Sequence, residues 1–78
     1  MPKSDDPNYH PNELLDEVIR AQNLKNDAAL ARFFQVAPPV ISKIRHYRLP
    51  VGDSMIIKCI ELAGMPIASI RSYIGGNP

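Results

Sequence analysis

Residues 27 to 46 read Asp27-Ala-Ala-Leu-Ala-Arg-Phe-Phe-Gln-Val-Ala-Pro-Pro-Val-Ile-Ser-Lys-Ile-Arg-His46, and their apolar spacing is that of two short helices crossing at a tight turn. Leu30 and Phe34 lie one turn apart on the first of these helices, Val36 falls in the turn, and Ile41 and Ile44 share a face of the second. Ala31 stands where the two backbones approach, and so close a crossing needs a small side chain. A basic run, Lys43, Arg45, His46 and Arg48, overlaps the end of the second helix and continues past it.

Outward from this pair, the chain reads as further helices with recognisable ends. Asn26 is a natural N-cap for the helix that starts at Asp27, whose carboxylate suits the positive end of the helix dipole. Before it, a helix capped by Asn12 and running to about Gln22 places Leu14, Leu15, Val18 and Ile19 on one side. After the basic run, Pro50, Val51 and Gly52 break the chain. A fourth helix begins at Gly52 or Asp53 and ends at Gly64, with Met55, Ile56, Cys59, Ile60 and Ala63 as its apolar face. Pro66 fits the first turn of a fifth helix, which carries Ile67, Ile70 and Ile74 to a stop at Gly75-Gly76. Residues 1 to 11 are rich in proline and small polar residues and read as a flexible N-terminal arm. The expectation is an all-α fold, a compact five-helix domain over residues 12 to 75 preceded by that arm.

Composition limits the function classes. A chain of 78 residues buries only about 60% of its unfolded surface, enough for one small core. The single cysteine, Cys59, excludes an internal disulfide, and no Cys or His pair stands at zinc-ligand spacing, so no metal or cofactor is expected. No run of about 18 apolar residues is present, and the N-terminus is acidic and proline-rich. Neither a membrane span nor a signal peptide is expected, and the location expected is the cytoplasm. No small-molecule ligand is evident.

The net charge of +1 conceals an asymmetry. Residues 1 to 19 hold Lys3 against Asp5, Asp6, Glu13, Asp16 and Glu17, whereas residues 20 to 48 hold Arg20, Lys25, Arg32, Lys43, Arg45 and Arg48 against Asp27 alone. Positive charge centred on the helix pair is what a phosphate-binding face requires. The same cations would also serve as an ordinary solvated surface.

Catalysis finds little support. Glu13, Asp16 and Glu17 form a carboxylate cluster on an exposed helix face, where such clusters are normally solvated. His10 lies in the arm and His46 in the basic run, so no Ser or Cys has an evident base with an orienting partner. Cys59 shares an apolar helix face and reads as a small core residue. The glycines stand at helix boundaries, and none builds a loop that would cradle a nucleotide.

From about Asn12 to Ile74 the chain resembles the lambda-repressor-like, Cro/C1-type helix-turn-helix family. The resemblance rests on Leu30-Ala31, Phe34, Val36, Ile41 and Ile44, then a basic turn with Pro50, then a helix ending in Ala63-Gly64. It implies that the second helix of the pair, near residues 38 to 47, lies in the major groove of double-stranded DNA. Carried over by position, Pro38, Pro39, Val40, Ser42 and Lys43 would contact base edges. Pro39, Ser42, Lys43 and His46 are spaced i, i+3, i+4 and i+7, which puts them on one stripe offset from Ile41 and Ile44. Lys43 suits guanine O6 and N7, and Ser42 donates or accepts. Arg45, His46 and Arg48, with Lys25 and Asn26 as weaker candidates, would hold phosphates. Tyr47 would either hydrogen-bond a phosphate or pack on Pro50.

Two departures from the family pattern carry physical consequences. Gln35 occupies a turn position normally held by Gly, so a positive φ at a non-Gly residue is expected there, at about 1 kcal/mol. Pro38-Pro39 opens the recognition helix without a single side-chain donor, which leaves shape and apolar contact with thymine methyl groups as its means of readout. Pro39 also disfavours helical geometry at Pro38, so the helix is expected to start one residue late.

A domain of this size covers about 600 to 1,000 Å² of DNA-facing surface, and a homodimer would double it. Ile67, Ile70, Tyr73 and Ile74 form an apolar strip that would serve as the dimer interface or would simply close the core. The whole reads as a sequence-specific transcriptional regulator, a small repressor of phage or bacterial type. The alternative is a helix-turn-helix-derived protein-interaction module, antirepressor or antitoxin-like, which Pro38-Pro39 keeps open.

Overall fold

Each helix begins and ends where the backbone has a local reason to change direction. In the computed structural model, which describes residues 9 to 75, α1 spans Pro11–Ala21, α2 Asp27–Phe34, α3 Pro38–Arg45, α4 Asp53–Glu61 and α5 Ile67–Ile74. Among the described residues the fold is all-α. Residues 1 to 8 of the expected arm, and Gly76, lie outside them.

The α2–turn–α3 unit forms as its sequence directs. The Asn26 side chain accepts a hydrogen bond from the Ala29 amide at 2.9 Å and so caps α2. Gln35 takes the left-handed conformation, φ 59°, and ends the helix. The Val36 amide then donates back to the Ala31 carbonyl at 2.9 Å, a closure that satisfies one of the terminal carbonyls. Buried Ala31 leaves room for the two helices to approach.

Several boundaries differ from expectation. Helix α3 starts at Pro38 rather than one residue late. Its two prolines occupy the first positions of the helix, where amides have no intrahelical partner, and Ala37 before them is extended at φ −67°, ψ 142°. Helix α1 starts at Pro11, so Asn12 lies inside it and does not cap it. Helix α4 ends at Glu61, three residues before Gly64. The chain then turns through Gly64, φ 69°, and the Met65 amide donates to the Cys59 carbonyl at 3.1 Å. Pro66 is extended and precedes α5, whose end is closed by Gly75 at φ 63°.

The core collects Leu14, Leu15 and Val18 from α1, Leu30, Ala31 and Phe34 from α2, Ile41 and Ile44 from α3, Met55 and Cys59 from α4, and Ile70 from α5. Val36 is only half-buried, and Ile60 and Ile67, expected on inner faces, are 40% and 42% exposed. The last residues of the expected arm belong to the core. Pro11 is fully buried and Tyr9 is 8% exposed, and the Tyr9 hydroxyl accepts a hydrogen bond from the Val51 amide at 3.2 Å. The Tyr9 ring meets Tyr47 edge-on with centroids 5.7 Å apart. Next to it, the His10 amide donates to the Tyr73 carbonyl, which pins the entry of the chain to α5. Among the described residues no helix is long and apolar enough to cross a membrane.

Candidate nucleic-acid interface

Helix α3 is two turns long and has two distinct sides. Ile41 and Ile44, 0% and 1% exposed, fix its inner side to the core. Its outer side presents Pro39, Ser42, Lys43 and His46, all exposed, and these four line one open groove of about 400 Å³ together with Arg48. The stripe read from helical spacing therefore exists as one surface.

Arg48 joins the groove because of how α3 ends. Tyr47, a residue with neither the freedom of glycine nor the side chain of asparagine, adopts φ 61°. The chain reverses there, and the Arg48 amide donates to the Lys43 carbonyl at 2.8 Å, with Leu49 donating to the same oxygen at 3.2 Å. Tyr9 braces the Tyr47 ring from behind. The ring of Tyr47 thus packs against Tyr9, a partner not weighed for it from sequence. No sequence signal marks this turn, because it is held by a tyrosine some 38 positions away in the chain, the separation between Tyr9 and Tyr47.

The lining of the groove is chemically one-sided. It has two permanent cations, Lys43 and Arg48, an imidazole, a hydroxyl and a pyrrolidine ring, and no carboxylate. Donors of this kind with no competing anion favour a polyanion at the surface.

The other expected contacts are placed differently. Pro38 is exposed at the first position of α3 but does not line the groove. Val40 is half-buried and faces α4, where it lines a second, apolar groove of about 280 Å³ with Val36, Ile44, Leu49 and Met55. Lys25 and Asn26 are exposed at the start of α2, away from the groove lining, with the Asn26 side chain engaged as the cap. Arg45 turns inward. Its Nε and Nη2 donate to the two carboxylate oxygens of Asp27 at 2.7 and 2.9 Å, Nη2 also donates to Asp16 at 2.8 Å, and Nη1 donates to Asn12 at 2.9 Å. Burial pulls the Arg45 guanidinium toward the neutral form, but the hydrogen bonds and charges of Asp27 and Asp16 outweigh it and hold its pKa above the ordinary value. No local spacing marks this pairing, because Asp16 stands on α1 and Asp27 on α2, away from Arg45 on α3.

Of the strip expected on α5, Ile70 is fully buried and Tyr73 and Ile74 are half-buried, so these three close the core. The large apolar side chains left exposed are Ile57, Ile60, Leu62 and Ile67. Glu17 pairs with Arg20, Asp16 serves Arg45, and Glu13 lies 3.4 Å from Nδ1 of His10, so each member of the α1 carboxylate cluster has a partner. Cys59 is 0% exposed, and burial pushes its thiol up to about 11. Among the described residues no three His, Cys, Asp or Glu side chains converge as a metal site.

Comparison with family models, curated proteins and solved structures found no match for this chain.

Proposed function

We propose that this chain is a double-stranded DNA-binding transcriptional regulator of small-repressor type that lays α3 in the major groove, in the manner of the Cro/C1-type proteins its sequence resembles. The observation that carries this reading is the carboxylate-free groove in which Pro39, Ser42, Lys43, His46 and Arg48 converge on the outer side of a two-turn helix. Lys43 and Ser42 read base edges, Pro39 offers apolar contact to thymine methyl groups, and His46 and Arg48 hold phosphates. Two copies act together in the cytoplasm, which gives the small reading surface of each the support of the other. Exposed Ile57, Ile60 and Ile67 supply apolar area for that association.

The test is selection from randomised duplex DNA, repeated with Lys43→Ala. Enrichment of a two-fold symmetric site that weakens with Lys43→Ala is the expected result. A folded protein that retains no sequence over background at moderate salt overturns the reading and leaves a protein-interaction module. The apolar groove between α3 and α4 would then be the first surface to examine.

A further inference from the structure

Arg45 lies in the middle of the basic run, between Lys43 and Arg48, yet its side chain is 20% exposed and makes none of the lining of the groove. One guanidinium on the last turn of α3 grips three residues on two other helices. It meets Asp27 at the start of α2 through a two-point fork, and Asp16 and Asn12 on α1 through single bonds. Asn12 completes the tie by donating its Nδ2 to the Arg45 carbonyl at 3.2 Å.

We propose that Arg45 is a positioning residue, which fixes the pose of α3 on α1 and α2 and so sets the direction in which the groove residues meet DNA, without touching DNA itself. This rests on the DNA-binding reading above. Ile41 and Ile44 attach α3 to the core by apolar contact, which is non-directional and leaves a two-turn helix free to roll or slide by a fraction of a turn. A guanidinium fork on a carboxylate is directional, and a third and fourth bond at a different helix fix the remaining angle. The charge balance also keeps Arg45 where it is. If it swung out to a phosphate, Asp16 and Asp27 would be left as two unpaired anions close to the DNA.

The role separates cleanly from that of a phosphate contact. Binding is measured by fluorescence anisotropy on the selected duplex and on a random duplex, over a series of salt concentrations, at a temperature where circular dichroism shows each variant folded. Arg45→Lys keeps the charge but loses the fork, and it should weaken binding to the selected duplex by at least about fivefold, the low end of losing a base contact. Its log–log salt slope should match that of the wild type, whereas Arg48→Gln should reduce the slope by about 0.9. Asp27→Asn gives the sharpest contrast, because it removes a negative charge from a DNA-binding protein and yet should weaken binding. Tighter binding by Asp27→Asn, or a slope lowered by Arg45→Gln as it is by Arg48→Gln, overturns the proposal.

Residual dipolar couplings of the α3 amides in the free protein supply a readout independent of DNA. A reoriented α3 in Arg45→Lys supports the positioning role even if the wild type binds no duplex, in which event the DNA-binding reading alone fails. An unchanged α3 overturns the role.

Discussion

In the α1 to α3 half of the molecule, the last residue of α3 reaches back to both neighbouring helices with four side-chain hydrogen bonds, and α2 carries a side-chain cap. In the α4 and α5 half, neither helix has a side-chain cap, and among the described residues no side-chain hydrogen bond joins one to the other. That half is held to the rest by the packing of Met55, Cys59 and Ile70 and by two isolated hydrogen bonds, from the His10 amide to the Tyr73 carbonyl and from Gln22 Nε2 to the Ala63 carbonyl, and it leaves Ile57, Ile60, Leu62 and Ile67 in contact with water. Side-chain hydrogen bonds accordingly gather around the helix that presents the charged groove, and the half that presents apolar surface relies more on packing, with single bonds to Ala63 and Tyr73. Under the proposed function, the difference would match the separate demands of reading a rigid duplex and of meeting another surface.

The largest effect that would break this comparison is in the core itself. Phe34→Ala removes a fully buried ring at the end of α2 and should destabilise the domain by about 3 to 5 kcal/mol in urea melts. Ile70→Ala, the corresponding loss in α5, should cost about 2 to 3 kcal/mol, because the looser half can collapse around the gap. Equal losses would mean that the two halves are equally rigid and that the contrast in hydrogen bonding has no mechanical consequence.

A smaller effect comes from Cys59, the buried thiol of α4. In the unfolded chain it releases its proton near the ordinary thiol range, while in the folded protein it holds the proton up to about 11. Stability contributed by the neutral thiol is therefore complete below that ordinary range and lost as pH rises toward 11. The sign follows from the folded state binding the extra proton in this window. Relative to Cys59→Ala, the wild type should lose about 2 kcal/mol of stability across it, read by denaturant melts at matched pH values. A difference between the two proteins that stays constant with pH would show that water reaches α4 from the side of α5, and the second half would then be looser than its packing implies.

How much of this was legible in the sequence depends on whether the cause was local. The Asn26 cap, the positive φ at Gln35 and the stripe Pro39, Ser42, Lys43 and His46 follow from spacing within one or two turns, and each is present. The start of α3 differs from expectation because the steric bias that Pro39 places against a helical Pro38 is a preference, and it does not keep Pro38 from taking the first helical position. Arg45 read as a phosphate ligand because its partners, Asp16 and Asp27, come from other helices. Tyr9 reads as part of the arm because its neighbours are polar, and what buries it, the Val51 amide and the Tyr47 ring, lies far along the chain. Ile60 and Ile67 fit an apolar face by period, and period alone does not tell a face that meets the core from one that meets solvent.

The smallest effect on stability, and the most direct way to sharpen the comparison, lies on the outer face of α4. Ile57 and Ile60 are 50% and 40% exposed and three residues apart, so they share one side of the helix. Replacing both with Ser removes little buried area and exchanges residues of similar helix propensity, so each change should alter stability by no more than about 0.5 kcal/mol. Their effect on association should be much larger if a second copy covers this face. Sedimentation equilibrium should then show a concentration-dependent dimer for the wild type and a monomer for the double variant. A wild type that stays monomeric at the highest concentration reached removes these isoleucines from the account of dimer formation. The duplex selected by such a protein should carry a single unpaired half-site, since without a partner copy nothing imposes two-fold symmetry on what α3 reads.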